Sequence, residues 1–227
     1  MATKVQLVEN VLRLNDEIAA LNRAQFRQAG VFVIDLIGAP GCGKTSVLEA
    51  TLRRLGNCLK FGVLAGDLAT SRDGERLARW CDQVVQINTG NGCHLDANQV
   101  RQAIGRLRLE DLDVLVIENV GNLICPVSFD LGQAVKVGMF SVTEGDDKAA
   151  KHPGLVHAAA MLLLSKMDLL AHVKFDLVRF RQDVQSLNPG ATLLEISVAP
   201  REDWPQGDHL DPWFTWLKTH CQPGCPA

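Results

Sequence analysis

The sequence predicts an α/β fold in which a mostly parallel central sheet is flanked by helices. Short apolar runs alternate along the chain with helical stretches, and strands that are apolar throughout are typical of a parallel sheet covered on both faces. The first run, residues 31–37, passes directly into Gly38-Ala-Pro-Gly-Cys-Gly-Lys-Thr45. Because this G-x-x-x-x-G-K-T spacing follows a strand and precedes a helix, it indicates a phosphate-loop NTPase.

The individual elements follow from the spacing of apolar residues. An N-terminal helix is predicted over 4–28, where leucine, valine and isoleucine recur at steps of three and four residues, and Gly30 ends it. Strands are predicted at 31–37, 61–65, 83–87, 114–117, 135–142, 160–164 and 192–196. Helices are predicted at 45–55, 72–80, 96–107, around 153–159 and at 175–187, with a last turn at 213–217.

Length and composition limit the class of protein. With 227 residues, of which 47% are hydrophobic and 22% charged, the chain predicts one globular domain with short additions. A net charge of −3 gives no reason to expect nucleic-acid binding. No apolar run approaches the roughly 20 residues of a membrane helix, and the seven irregularly spaced cysteines favour a reducing cytoplasm.

The phosphate loop predicts nucleotide binding through backbone N–H groups that converge on the phosphate oxygens. The residues assigned to the nucleotide here are Gly38, Gly41, Gly43, Lys44, Thr45 and Ser46. Lys44 is spaced to reach the β- and γ-phosphates, and Thr45 offers its hydroxyl to Mg²⁺. The positive end of the following helix faces the same anion.

Two carboxylates follow other predicted strands and suggest a magnesium site. Asp67 comes after 61–65, and Glu118 comes after 114–117 with Gly121 close behind. Carboxylates at strand ends beside phosphates can hold Mg²⁺, and a glycine N–H there can sense a γ-phosphate. We therefore expect Lys44, Asp67 and Glu118 to be the catalytic residues. The alternative is that both carboxylates are helix caps or surface turns.

The segment Ser165-Lys166-Met167-Asp168 predicts guanine rather than adenine as the base. It is similar to the N-K-x-D element, in which the aspartate accepts hydrogen bonds from guanine that adenine cannot donate. We expect Asp168 to make this contact and Lys166 to lie along the base. The chain then divides into an N-terminal helix over 1–30, a GTPase domain over 31–200 and a C-terminal extension over 201–227. The sequence assigns no arginine finger: Arg72 and Arg76 follow the Asp67 loop and could serve, and the alternative is that both lie on a solvated helix face.

A possible metal site follows from Cys93, His94 and Cys125. Cys93 and His94 are adjacent in a glycine-rich segment, and Cys125 comes shortly after Gly121. Two thiolates and an imidazole are ligands for Zn²⁺ or Ni²⁺, and three ligands suggest a site that is open or shared in a dimer. Spacing alone leaves a second interpretation open, in which the site is one buried cysteine and a histidine at a helix start.

Taken together and in order, these segments resemble the HypB family of hydrogenase maturation GTPases, which is related to the urease factor UreG. The resemblance spans about residues 5–198 and rests on 38–45, 66–70, 89–96, 118–126, 141–148 and 165–168. The combination of Gly-Cys-His-Leu-Asp with Glu-Asn-Val-Gly-Asn-Leu-x-Cys-Pro is the most specific part of it.

The resemblance implies slow GTP hydrolysis and a homodimer in the GTP-bound state. It implies delivery of nickel to the large subunit of nickel–iron hydrogenase, together with a HypA-like protein that binds zinc and nickel. Cys93, His94 and Cys125 would be the nickel or zinc ligands, with Asp96 beside them or joining them. Cys42, where the family has a smaller residue, is expected to pack inertly, and Cys221 and Cys225 are expected in a disordered tail.

Three alternatives stay open from the sequence. A metabolic kinase would use ATP and would need no thiolate–imidazole cluster. A metal-binding module with vestigial hydrolysis would not turn over GTP. Nickel delivery to urease would use the same chemistry with another client. Since only seven residues separate Glu118 from Cys125, we expect nucleotide state and metal affinity to be linked.

Overall fold

The computed structural model of the chain describes residues 3–67, 72–90, 92–198 and 209–221. Its seven strands are β1 Phe32–Gly38, β2 Phe61–Asp67, β3 Gln83–Asn88, β4 Val114–Glu118, β5 Val135–Ser141, β6 Met161–Ser165 and β7 Thr192–Glu195. They form one sheet in the order β3-β2-β4-β1-β5-β6-β7, and every neighbouring pair is parallel. The predicted fold class and all seven predicted strands are confirmed, with ends that differ by one or two residues.

The helices are α1 Thr3–Ala29, α2 Lys44–Leu55, α3 Arg72–Leu77, α4 Ala97–Ile104, α5 Lys148–Lys151, α6 Pro153–Ala158, α7 Leu177–Leu187 and α8 Asp211–Cys221. Two of them end earlier than predicted, because i→i+3 backbone bonds tighten the chain after α3 and after α4. The four residues of α5 were not predicted, since so short a helix shows no period. α8 is longer than the predicted turn at 213–217.

The strand order determines where the site lies. β1 lies between β4 and β5, so the chain crosses to opposite sides of the sheet around β1. In open parallel sheets, ligands bind beside the carboxyl ends of the strands at such a reversal. The segments after β1, β2 and β4 all begin at this edge, which brings the three predicted phosphate and magnesium segments together.

Buried side chains cover both faces of the sheet. Trp213 of α8 is 1% exposed and its indole N–H donates to the Thr51 hydroxyl of α2 at 2.9 Å, so α8 belongs to one face of the core. On the other face, the Asn22 side chain of α1 donates to the Ala97 carbonyl at the start of α4 at 2.8 Å.

The division at 1–30, 31–200 and 201–227 stays a prediction. In the described part of the chain, no helix has the length and apolarity to span a membrane.

Candidate functional site

A cavity of about 430 Å³ opens at the carboxyl edge of the sheet. The predicted nucleotide and magnesium residues that line it are Gly41, Gly43, Lys44, Thr45, Ser46, Asp67, Glu118, Gly121 and Lys166. Gly38 lies at the end of β1, just before this wall, and Asp168 lies after Lys166. The fold therefore gathers residues from the ends of four strands, β1, β2, β4 and β6, around one space.

The shape of the phosphate loop depends on its small residues. Gly41 and Gly43 have φ values of 75° and 102°, a left-handed region that side chains rarely adopt. A Cβ at Gly38 would lie 2.6 Å from the Cys42 sulfur. Cys42 is fully buried, and burial raises the pKa of its thiol to about 11. It packs as an inert apolar group, as expected.

Lys44 is buried at the first turn of α2, and its ammonium donates to the carbonyls of Gly38 and Ala39 at 3.1 and 3.2 Å. These bonds hold the side chain across the mouth of the loop. Its charge and position suit the terminal phosphates of a nucleotide, where an ammonium acts as a point charge.

Thr45 and Glu118 meet directly, although 73 residues separate them. The Thr45 hydroxyl donates to Glu118 Oε1 at 2.7 Å, and Glu118 Oε2 is buried without a hydrogen-bond partner among the described residues. Burial raises the pKa of Glu118 to about 7, against the effects of the Thr45 bond and the Lys44 charge. A hydroxyl, an orphaned carboxylate oxygen and nearby Asp67 are the hard oxygen donors that fit Mg²⁺.

Glu118→Gln is expected to stabilise the nucleotide-free protein while removing a predicted magnesium ligand. The pKa of Glu118 in the folded protein lies above the ordinary value of 4.5. The unfolding free energy of the protein with Glu118 therefore falls as the pH rises from 4.5 through about 7. Glutamine does not titrate, so the gain in unfolding free energy should be about 2 kcal/mol larger at pH 8 than at pH 5. Urea denaturation of both proteins at both pH values measures this, and equal gains would contradict it.

The predicted base-recognition segment lies beside the same cavity. The Ser197 hydroxyl donates to Asp168 Oδ1, which orients the carboxylate. Ser165, which stands where guanine-binding elements have asparagine, donates to the Cys42 carbonyl at 2.6 Å and so ties this segment to the phosphate loop. Lys166 lines the cavity with a left-handed φ of 57°.

The three predicted metal ligands come together within one protomer. Their ligand atoms all lie within 4.8 Å of one another, and Cys93 Sγ is 3.5 Å from His94 Nδ1. Cys93 is exposed, and Cys125 and His94 are half-buried, so neither thiol is a buried packing group. The pKa of the Cys93 thiol is raised, chiefly by its hydrogen bond with Cys125. Burial lowers the pKa of His94 and favours the neutral imidazole that metals require.

Asp96, which the resemblance places beside the ligands or among them, caps a helix in this structure. Its carboxylate accepts from the Gln99 N–H at 2.7 Å, and the Gln99 side chain bonds back to the Asp96 N–H at 3.0 Å. This capping box starts α4 and positions the residues before it. Asp96 therefore supports the end of the Cys93–His94 loop as a helix cap.

Two asparagines that the sequence reasoning missed join the segment after β4 to the loop that carries Cys93. The Asn119 side chain is 1% exposed and accepts from the Leu95 N–H at 3.1 Å. Asn122 donates to the Cys93 carbonyl at 3.3 Å. Their only signal in the sequence is that polar side chains follow a buried strand. Gly121 packs so closely on Pro40 that a Cβ there would lie 2.8 Å from the proline ring.

Of the two arginines considered from the sequence, Arg76 lines the cavity. It pairs with Glu49 at 2.7 Å and with Asp73 at 3.5 Å, and its side chain is 40% exposed. The Arg72 side chain lies outside the described part of the chain. The expectation of a disordered tail was wrong for Cys221, which ends α8 and packs half-buried against the core, while Cys225 lies outside the described residues.

Comparison with known proteins identifies the family and the fold of the chain. The family model described as CobW/HypB/UreG, nucleotide-binding domain, matches residues 32–195. Hydrogenase maturation factor HypB of Azotobacter vinelandii is 42% identical over 216 residues, which cover 94% of this chain and 69% of that protein. The crystal structure of hydrogenase maturation factor HypB from Archaeoglobus fulgidus has a TM-score of 0.83 at 37% identity, covering 91% of this chain and 98% of that one. The crystal structure of HypB from Helicobacter pylori in complex with nickel has a TM-score of 0.83 at 34% identity, covering 92% and 98%.

Proposed function

Because this chain belongs to the CobW/HypB/UreG family and is a hydrogenase maturation factor of the HypB type, we propose that it is a GTP-hydrolysing metallochaperone that assists nickel insertion into nickel–iron hydrogenase. Its substrate is GTP and its cargo is Ni²⁺, with Zn²⁺ as the other ion that the ligand set suits. The observation that carries the proposal is that the thiolate–imidazole cluster and the phosphate cavity share the segment running from Glu118 to Cys125.

The nucleotide part of the mechanism uses position and charge. The phosphate loop holds the phosphates, Lys44 neutralises the terminal ones, and Asp168 with Lys166 reads the base. Thr45, Asp67 and Glu118 would hold Mg²⁺, which offsets charge on the phosphates. Besides the carboxylates assigned to Mg²⁺, the described residues of the cavity wall include one carboxylate, Asp73, and it pairs with Arg76 at 3.5 Å. Slow hydrolysis by water is what this arrangement supports, with the reaction used for timing.

The metal part follows from the bonds that leave the same segment. When a γ-phosphate draws in the Gly121 region, Asn119 and Asn122 transmit the movement to Leu95 and to the Cys93 carbonyl. A shift of one ligand by an ångström or two changes a tetrahedral or square-planar site. Nucleotide state and metal affinity are then linked, and linkage is reciprocal.

The linkage is tested by titrating nickel into the protein bound to GDP and into the protein bound to a non-hydrolysable GTP analogue. The two dissociation constants are expected to differ about 5-fold or more, the lower end of usual coupling energies. The matched experiment titrates the GTP analogue with and without nickel, and the same factor should appear. Equal nickel affinities in the two states would remove the proposed coupling.

The exposed side of the metal cluster supports transfer to other proteins. Cys93 is exposed, and Ile124, next to Cys125, is a 67% exposed apolar side chain. Such a site can pass its ion to a HypA-like nickel/zinc protein or to the hydrogenase large subunit, and GTP-dependent dimerisation would bring two clusters together. Light scattering with GDP and with the GTP analogue tests the dimer. A cytoplasmic location is part of the same proposal.

A further inference from the structure

Lys136 of β5 is the one described lysine whose ammonium bonds to the turn that carries Cys125. It donates to the carbonyls of Pro126, Val127 and Phe129 at 3.0, 2.7 and 2.8 Å. Cys125 is the first residue of the 3-10 turn Cys125–Ser128. A cation that collects the last carbonyls of a turn satisfies orphaned acceptors and complements the dipole. Three donors are thus committed to one turn, which fixes its backbone.

A buried carboxylate is the neighbour of Lys136 in the register of the sheet. Asp35 of β1 lies opposite Lys136 in the register of the two strands, and its side chain is fully buried. Asp35 Oδ1 accepts from the Asn119 amide at 3.0 Å, and Asn119 in turn accepts from the Leu95 N–H. Asp35 is therefore linked through Asn119 to the loop that carries Cys93 and His94. Lys136, its neighbour in the sheet, bonds to the turn that begins at Cys125.

The turn held by Lys136 also contacts the imidazole ligand. The Phe129 ring lies 3.9 Å from the His94 ring, centroid to centroid. The Phe129 carbonyl is one of the three acceptors of Lys136, so the same ammonium fixes the backbone that carries this ring. Lys136 is outside the wall that the described residues form around the nucleotide cavity.

We propose that Lys136 is a positioning residue for the metal site, which sets Cys125 through the turn and His94 through the Phe129 ring. This inference rests on the proposed metal-binding function and adds a residue to it. Lys136 touches neither the ion nor the nucleotide. Its action is to hold two ligands from different loops at the spacing the ion needs, as outer groups around metal sites do.

The test compares Lys136→Met with the unsubstituted chain in nickel titrations followed by the thiolate-to-nickel charge-transfer absorption. Methionine keeps length and apolar contact but has no donor. The nickel dissociation constant is expected to rise about 10-fold, and the absorption band should change in shape. Affinity for the GTP analogue should stay unchanged. The double variant Asp35→Asn/Lys136→Met removes the buried carboxylate charge as well, and should show the same nickel defect with a folded protein.

Lys151→Met, which removes an exposed ammonium paired with Asp147, is the matched control and should leave both affinities unchanged. An unchanged nickel constant and spectrum in the Lys136 variants would overturn the inference. So would an equal loss of nickel and GTP affinity, which would indicate general destabilisation. No charge-transfer absorption in the unsubstituted chain would overturn the proposed function itself, and the inference with it.

Discussion

Lys44→Ala is expected to lower the affinity for GTP about 1,000-fold and to abolish measurable turnover. The lysine lies buried at the end of the phosphate loop, where its ammonium already bonds to two loop carbonyls. In the GTP complex it would exchange these for phosphate oxygens. Two charge-assisted contacts at about 2 kcal/mol each account for the expected loss.

The matched control is Arg54→Ala, which removes one positive charge from the exposed side of the same helix. That variant should bind GTP like the unsubstituted chain. Equilibrium binding of a fluorescent GTP analogue measures affinity, and phosphate release measures turnover. Competition by ATP in the same assay separates the proposed GTPase from a kinase. GTP turnover that survived Lys44→Ala would show that hydrolysis occurs elsewhere or comes from a contaminant.

Cys125→Ala is expected to weaken nickel binding at least about 100-fold, or about 2.8 kcal/mol, while GTP turnover continues. Among the described residues the cluster consists of three side chains, so the substitution removes one of its two thiolates. The turn itself should stay in place, because Lys136 bonds to backbone carbonyls and not to the cysteine side chain. The nucleotide cavity keeps all of its lining residues.

Cys58→Ala provides the control, since it removes an exposed thiol that is not part of the cluster. Its nickel affinity should equal that of the unsubstituted chain. Nickel is measured by titration and by metal content after gel filtration. If Cys125→Ala bound nickel normally, Cys125 would have a structural role only. If GTP turnover fell together with nickel binding, the two sites would not be separable in this way.

The sequence predicted the fold well because the relevant signals are local. Apolar runs identify strands that are buried on both faces, and β1 followed by the phosphate loop is one contiguous segment. The predicted ends of the helices were less accurate than those of the strands. The turns after α3 and α4 depend on how the chain must bend toward the next strand, which the periodicity of side chains does not record.

The candidate site was predicted as a set of residues but not as a set of contacts. Thr45 and Glu118 were each expected to hold Mg²⁺. Only the structure shows that the Thr45 hydroxyl donates to Glu118 Oε1 at 2.7 Å. Ser165 stands where guanine-binding elements have asparagine. Its bond to the Cys42 carbonyl of the phosphate loop forms because β1 and β6 are the two strands on either side of β5. Asp96 was expected beside the metal ligands or among them, and only the structure shows that it caps α4.

The chemistry of this protein could be predicted from short stretches of sequence: a phosphate loop, carboxylates at strand ends, an aspartate placed to bind guanine, and a set of two thiolates and an imidazole. Each of these signals lies within a few consecutive residues, so it can be recognised without the fold. How these parts contact one another became visible only in the folded chain. Asn119 bonds to Asp35, 84 positions away, and Lys136, the second residue of β5, bonds to the turn that begins at Cys125. Such contacts arise when parallel strands are aligned in a sheet, because their register brings together residues that no local pattern relates.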